Sequence, residues 1–150
     1  MTTTPIADGS VAPLIAKARA AQAQIAHYTQ AQADQLVLAV GWAIMQPQRN
    51  AQLAQQAVQD TGLGNVADKL LKNHRKTLGL LRDLQGAISV GVLSDDAKTG
   101  ITEIARPVGV VAAITPSTNP GATPANNIIN ALKCKNAIII APSPKGYGTA

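Results

Sequence analysis

Aromatic residues and cysteines are scarce in this sequence, and both shortages narrow its possible architecture. The 150 residues include one Trp, two Tyr and no Phe, so any core must be built from Ala, Leu, Ile and Val, which suits packed helices. The single cysteine, Cys134, cannot form a disulfide within the chain, and a reducing cytoplasm is the expected location. His27 and His74 have no cysteine or carboxylate constellation around them, so we predict surface or core roles and no metal site.

Long apolar runs are also absent. No run approaches the roughly 20 residues that span a bilayer, so we expect no membrane partner. The opening residues, MTTTPIADGS, lack the basic and apolar regions of a signal peptide. Residues 1–10 are instead predicted to form a flexible polar tail.

Positive charge is in excess, with a net charge of +5. Part of it falls on one predicted helix whose other face is apolar and which has no interleaved aromatics: Lys69, Lys72, Arg75, Lys76 and Arg82. We interpret this group as a solvated helix face rather than a phosphate-binding patch, so no nucleic-acid partner is expected. Nucleic-acid binding through this face is the weaker alternative.

Helical periodicity fills most of the first hundred residues. Apolar positions predict helices over residues 11–28, 32–45, 49–60 and 65–84. The left-handed residue that ends the third helix is expected at a glycine, Gly62, and the cap that starts the fourth at Asn65. The inward stripe predicted for the fourth helix is Val66, Leu70, Leu71, Thr77, Leu78, Leu81 and Leu84.

Strand patterns replace helical ones near Gly100. A Gly- and Asp-rich connection leads to two extended segments, residues 101–105 and 108–115, with Pro107 between them. Proline resists a central strand position and therefore divides the two. The second segment is almost continuously apolar, as expected for a strand covered on both faces of a parallel sheet.

A helix is predicted after this strand, with Thr118 or Asn119 as its cap, and residues 137–141 predict a second short buried strand. Strand, helix and strand in succession form a right-handed crossover. The sequence therefore predicts an α/β fold. N-terminal helices over residues 11–100 precede the first β-α-β unit of an incomplete Rossmann-like parallel sheet over residues 101–150.

Two polar loops should meet at one edge of this sheet. In an open parallel sheet, ligands bind beyond the carboxyl ends of the strands, which places residues 115–119 and 143–145 side by side. The glycine fingerprint G-x-G-x-x-G is absent, so an ordinary Rossmann dinucleotide site is not supported.

Three stretches of the sequence give a specific family resemblance. ARPVGVVAAITPSTNP and KNAIIIAPSPK resemble the first strand, the Pro-x-x-Asn-Pro turn and the second strand of the aldehyde dehydrogenase superfamily, within its coenzyme A-acylating branch. DTGLGNVADKLLKNH resembles part of the helical region of the same enzymes. The resemblance covers about residues 10–150 and implies an aldehyde dehydrogenase-like fold of which this chain is the N-terminal part.

The resemblance also implies roles for the two loops. Asn119 corresponds to the asparagine whose side-chain amide, with a backbone N–H, binds the developing oxyanion. The residues alone favour a helix cap at this position instead. The segment beside the nicotinamide end of the cofactor corresponds to Thr115, Pro116, Ser117 and Thr118, and the loop near the adenosine ribose corresponds to Ser143, Pro144 and Lys145.

Two departures from the family pattern matter. Where non-acylating members hold the ribose hydroxyls with Lys and Glu, this sequence has Ala141 and Pro144. That substitution resembles the acylating branch and leaves the choice between NAD and NADP open. The family's nucleophilic cysteine lies in a second, catalytic domain that is absent here, and Cys134 is predicted to be a small packing residue. The 150-residue chain alone is therefore expected to be inactive.

The activity implied by the resemblance is that of a cytoplasmic, NAD- or NADP-dependent enzyme with coenzyme A as co-substrate. It converts a small aldehyde to an acyl-coenzyme A, with sulfoacetaldehyde and acetaldehyde as candidate substrates, and the full-length enzyme is expected to be a homo-oligomer. The alternative is a non-catalytic helical or nucleotide-binding interaction module formed by the 150-residue chain itself.

Overall fold

The computed structural model describes residues 11–150, and the tail predicted over residues 1–10 lies outside them. The elements are α1 (Ala12–Ile25), α2 (Gln30–Met45), α3 (Pro47–Thr61), α4 (Val66–Leu84), β1 (Gly91–Asp96), β2 (Ile101–Ala105), β3 (Val110–Thr115), α5 (Ala122–Lys133), β4 (Ala137–Pro142) and a 3-10 turn, Pro144–Gly146. The four predicted N-terminal helices and the β-α-β unit are confirmed. No helix within the described part is long and apolar enough to cross a membrane.

Local capping chemistry explains where the helices begin and end. α3 begins at Pro47 rather than at residue 49, because the missing N–H of proline is harmless at the first helical position. It ends at Gly62, whose φ of 66° is the left-handed conformation that was predicted. Asn65 caps α4, as predicted, by accepting a hydrogen bond from the backbone N–H of Asp68 at 2.9 Å.

A β-hairpin occupies part of the Gly- and Asp-rich connection predicted before residue 101. β1 pairs antiparallel with β2, and every residue of β1 is exposed. The turn is held by Asp96, whose carboxylate accepts hydrogen bonds from the Lys98 N–H and the Thr99 hydroxyl, both at 2.9 Å. These bonds, the Lys98 one foremost, lower the pKa of Asp96. The prediction was wrong here because β1 has no alternating apolar pattern. The division of the chain near residue 100 stays a prediction.

β3 and β4 form a parallel pair joined by α5, in a register that runs from Val110 opposite Ala137 to Thr115 opposite Pro142. The expectation that β3 is covered on both faces was wrong for the described residues, since Ile114 is 89% exposed. No element of residues 11–150 packs on that side chain, which lies one residue before the carboxyl end of β3.

Small apolar residues form the core, as the composition predicted: Ala18, Ala33, Val37, Ala54, Ala57, Ala122, Ala125, Ile129, Ala131 and Ala137. Small side chains allow helices to approach closely, and α2 lies against both α4 and α5. At Gly41 of α2, an added Cβ would lie 2.6 Å from Leu81 Cδ1 of α4. This packing fixes α4 beside the crossover unit.

The inward face of α4 departs in part from the predicted stripe: Thr77 is buried and Val66, Leu81 and Leu84 are half-buried, but Leu70, Leu71 and Leu78 are exposed. Leu71 and Leu78 are 54% and 50% exposed, whereas Lys69, Asn73 and Thr77 are buried. Asn73 and Lys69 are buried because they have partners there: the Asn73 amide donates to Asn50 Oδ1 of α3 at 3.0 Å, and Lys69 donates to a backbone carbonyl of the loop after β3. The prediction that Lys69 belongs to a solvated face was therefore also wrong.

Candidate functional site

The loops that follow β3 and β4 meet at the carboxyl edge of the parallel pair. The backbone N–H of Ser143 donates to the carbonyl of Thr115 at 3.0 Å. In the 3-10 turn that follows Ser143, an added Cβ on Gly146 would lie 2.7 Å from the Cβ of Pro120. The two predicted segments, 115–119 and 143–145, are thus brought together into one surface.

Within that surface the predicted residues differ in accessibility. Thr115 is buried and its hydroxyl has no hydrogen-bond partner within residues 11–150. Ser117, Asn119 and Ser143 are half-buried, and the exposed members are Pro116, Thr118, Pro144 and Lys145. The surface that a ligand meets is therefore made of short polar groups, proline rings and one lysine.

The side chain of Asn119 is directed toward α4. Its Oδ1 accepts a hydrogen bond from Lys72 Nζ at 2.9 Å. The cap predicted at Thr118 or Asn119 was wrong, because α5 begins at Ala122 after Gly121 and has no side-chain cap. The Asn119 backbone carbonyl accepts from the N–H of Thr123 in the first turn of α5 at 3.2 Å, while its side chain is engaged by Lys72. The Asn119 amide nitrogen donates to no group among residues 11–150.

A second lysine from the same helix holds the same turn. Lys69 is 6% exposed, and its Nζ donates to the carbonyl of Thr118 at 3.1 Å. Burial, followed by the charge of Lys72, lowers the pKa of Lys69. Burying an ammonium group is costly unless it is hydrogen-bonded, so this contact fixes the backbone of the turn against α4. Reasoning from the sequence missed both lysines as site residues, although both lie in the helical stretch that carries the family resemblance.

The last residues of the chain are anchored on α3. The Thr149 hydroxyl donates to Asp60 Oδ2 at 2.7 Å, and Gln56 donates to Asp60 Oδ1 at 2.6 Å. The Thr149 bond, and then the Gln56 bond, lowers the pKa of Asp60. This contact holds the segment that carries Gly146 against Pro120. No local pattern in the sequence links residues so far apart.

Two clefts flank α4. The larger, about 1020 Å³, lies between α2 and α4, and the smaller, about 740 Å³, lies between α4 and α5. No predicted site residue lines either cleft, but Lys72 lines the smaller one, which therefore borders the turn at Asn119.

The two histidines and the cysteine lie outside the two loops. His27 and His74 are exposed, in line with a surface role. Cys134 is exposed, so the prediction that it is a packing residue was wrong. It follows the last turn of α5, where the chain turns outward through Lys135, a residue with φ of 57°.

A parallel β-α-β crossover with polar loops at the carboxyl ends of its strands is the arrangement in which open α/β folds bind ligands. Residues 3–150 match the model of the aldehyde dehydrogenase family. The chain belongs to that family.

Named relatives support the same assignment. The sequence is 68% identical over 140 residues to sulfoacetaldehyde dehydrogenase (acylating) of Cupriavidus necator, which covers 93% of this chain and 28% of that protein. The fold is similar to a probable aldehyde dehydrogenase of Listeria monocytogenes, at 32% identity and a TM-score of 0.88. It is also similar to an acetylating aldehyde dehydrogenase of Geobacillus thermoglucosidasius, at 35% identity and a TM-score of 0.85. Each structural match covers 93% of this chain and 30% of the other. The chain thus spans less than a third of the length of these proteins.

Proposed function

We propose that this chain is the N-terminal part of an NAD(P)-dependent, coenzyme A-acylating aldehyde dehydrogenase. The reaction is aldehyde, coenzyme A and NAD(P)⁺ to acyl-coenzyme A, NAD(P)H and a proton. The observation that carries the proposal is the Asn119 amide at the carboxyl edge of the parallel pair: its oxygen is held by Lys72 at 2.9 Å, and its nitrogen donates to no group among residues 11–150. The 68% identity to an acylating enzyme of Cupriavidus necator supports the acylating type.

Asn119 is the proposed oxyanion donor. When a thiolate adds to the aldehyde carbon, negative charge develops on the carbonyl oxygen, and a preorganised amide N–H stabilises that charge. The side-chain amide is suited to this because its oxygen is already engaged and its N–H groups have no partner among residues 11–150. The start of α5 lies close by, at Ala122, and the positive end of its dipole favours the same charge. In this proposal, the nucleophilic cysteine is supplied by a part of the enzyme outside these 150 residues.

The two loops are the proposed dinucleotide site. NAD(P)⁺, when bound, accepts the hydride that leaves the aldehyde carbon. The fit rests on an exposed edge that continues from Pro116 and Thr118 to Pro144 and Lys145, across loops joined by the hydrogen bond from Ser143 to Thr115. Residues 115–118 would lie beside the nicotinamide, and residues 143–145 near the adenosine ribose, where the Lys145 ammonium can donate to oxygen atoms.

Sulfoacetaldehyde is the proposed substrate, with acetaldehyde as the alternative. The name of the Cupriavidus necator relative supports sulfoacetaldehyde. The comparison of kcat/KM for the two aldehydes, in the longer enzyme that contains this segment, decides between them. A higher kcat/KM for acetaldehyde would overturn the choice of substrate without affecting the proposed chemistry.

The test of the proposed function is Asn119→Ala in the same longer enzyme. Loss of one oxyanion donor typically lowers kcat by about 10²–10³, so we expect a loss of this size in NAD(P)H formation with nucleotide affinity almost unchanged. Asn130→Ala is the matched control, because Asn130 is an exposed asparagine of α5, the helix that follows Asn119. Equal losses of turnover and nucleotide affinity in Asn119→Ala, or no difference from the control, would contradict the proposed role.

A further inference from the structure

Asn119 makes its side-chain contact with a residue 47 positions earlier in the chain, Lys72 of α4. A lysine ammonium only donates hydrogen bonds, whereas an asparagine amide has an accepting oxygen and a donating NH₂ group. The ammonium therefore selects one of the two amide orientations, the one with Oδ1 toward α4 and NH₂ away from it. Without the lysine, either end of the amide can take that position.

A second contact keeps the turn from moving relative to α4. Lys69 lies one helical turn before Lys72, on the same side of the helix, and is 6% exposed. Its bond to the Thr118 carbonyl holds the backbone next to Asn119. An exposed contact such as that of Lys72 stabilises a fold little. With the backbone fixed by Lys69, however, it only needs to orient one amide.

The arrangement is unfavourable for stability alone. Two lysines one turn apart on a helix repel each other, and the charge of Lys72, after burial, lowers the pKa of Lys69. An ammonium on the amide oxygen also withdraws electron density from the amide, because hydrogen bonds in a chain polarise one another. The NH₂ group then becomes a stronger donor toward a negative oxygen.

We propose that Lys72 is a positioning residue for the reaction: it orients and polarises the Asn119 amide so that the NH₂ group faces the developing oxyanion, while Lys69 fixes the turn that carries it. This inference rests on the proposed function of Asn119. It assigns Lys72 no contact with the substrate.

The test compares Lys72→Met with Lys76→Met in the longer enzyme. Both substitutions remove one positive charge from an exposed position of α4, but Lys76 has no hydrogen bond to the turn. We expect Lys72→Met to lower kcat about tenfold, less than the loss of the donor itself, with the KM for the aldehyde almost unchanged. Lys76→Met should change kcat by less than about twofold, and Lys72→Arg should retain most of the activity because it keeps a donor and a charge.

A double-substitution cycle separates positioning from a merely structural role. If Lys72 acts through Asn119, adding Lys72→Met to Asn119→Ala causes no further loss of kcat. An undiminished tenfold loss in the Asn119→Ala background, or equal rates for Lys72→Met and Lys76→Met, would overturn the inference while leaving the role of Asn119 intact. A fully active Asn119→Ala enzyme would instead overturn the proposed function, and this inference with it.

Discussion

Lys133 and Asp34 form an ion pair that joins α5 to α2, with 2.5 Å between Nζ and Oδ1. The Lys133 side chain is 4% exposed and that of Asp34 is 40% exposed. Gln30 also donates to Asp34 at 2.9 Å. The pair compensates a buried ammonium with a half-exposed carboxylate, and it fixes the end of the crossover helix against the N-terminal helices.

Asp34→Asn should destabilise the fold, because it leaves the buried ammonium of Lys133 without a counter-charge. Breaking a fully buried pair from one side costs about 3–5 kcal/mol. Since Asp34 is 40% exposed, water screens part of its interaction with Lys133, and we expect the free energy of unfolding to fall by about 1–2 kcal/mol. Urea denaturation measures the free energy of unfolding. Asp83→Asn is the control, because Asp83 pairs with Arg82 where both side chains are more than half exposed. A control loss as large as that of Asp34→Asn would contradict the argument.

Stability should fall in acid, with Asp34 as one cause. Burial raises its pKa and is the largest influence, but hydrogen bonds from Lys133 and Gln30 and the charge of Lys133 together lower the pKa below its ordinary value of 3.8. A carboxyl whose pKa is lower in the folded state stabilises the fold above its unfolded pKa. That stability is lost as the pH falls through the folded pKa.

The measurement for this acid dependence is the urea midpoint as a function of pH, from about pH 6 downward. We expect the midpoint to decline below about pH 4, and less steeply in Asp34→Asn than in the unsubstituted protein. Identical declines would show that Asp34 has no part in the acid sensitivity. Asp60 and Asp96, whose pKa values are also lowered, account for the decline that remains.

Gly146→Ala should separate the loop after β4 from the turn after β3. The added Cβ would lie 2.7 Å from the Cβ of Pro120, and a proline ring cannot rotate away. We expect the free energy of unfolding to fall by about 1–3 kcal/mol, which is typical of overpacking. We also expect weaker NAD(P) binding in the longer enzyme, which a titration measures.

Gly79→Ala is the control for this change, since an added Cβ at Gly79 of α4 meets nothing within 4 Å. Alanine is the better helix former by about 1 kcal/mol, so this substitution should stabilise the fold. If Gly146→Ala left nucleotide affinity unchanged, the contact with Pro120 would have no part in shaping the site.

Local signals were sufficient to predict the helices and the crossover unit. Asn65 and Gly62 mark helix ends through bonds to residues at most a few positions away, and the apolar run of β3 is visible without any partner. The same local reasoning failed at Asn119. A cap was the obvious reading for an asparagine before a helix, but the side chain bonds to Lys72, 47 residues earlier.

The inward face of α4 shows the other limit of sequence reasoning. Periodicity placed Thr77 and Leu81 on the inward side correctly, but it also placed Leu71 and Leu78 there, and these two are exposed. Leucine is normally the buried residue, yet Asn73 and Lys69 are buried because Asn50 and the Thr118 carbonyl are their partners. Hydrogen-bond partners of this kind, far apart in sequence, are known only once the fold is known.

The hydrogen bond from Ser143 to Thr115 has a consequence for how the site responds to sequence change. It continues the pairing of β3 and β4 by one residue into the loops. At this point the separation of the two loops is therefore set by the distance between paired strands, about 4.8 Å. Substitutions at Ser117 or Lys145 would change which atoms face a ligand. The distance between the two loops where Ser143 bonds to Thr115 would stay the distance between two paired strands.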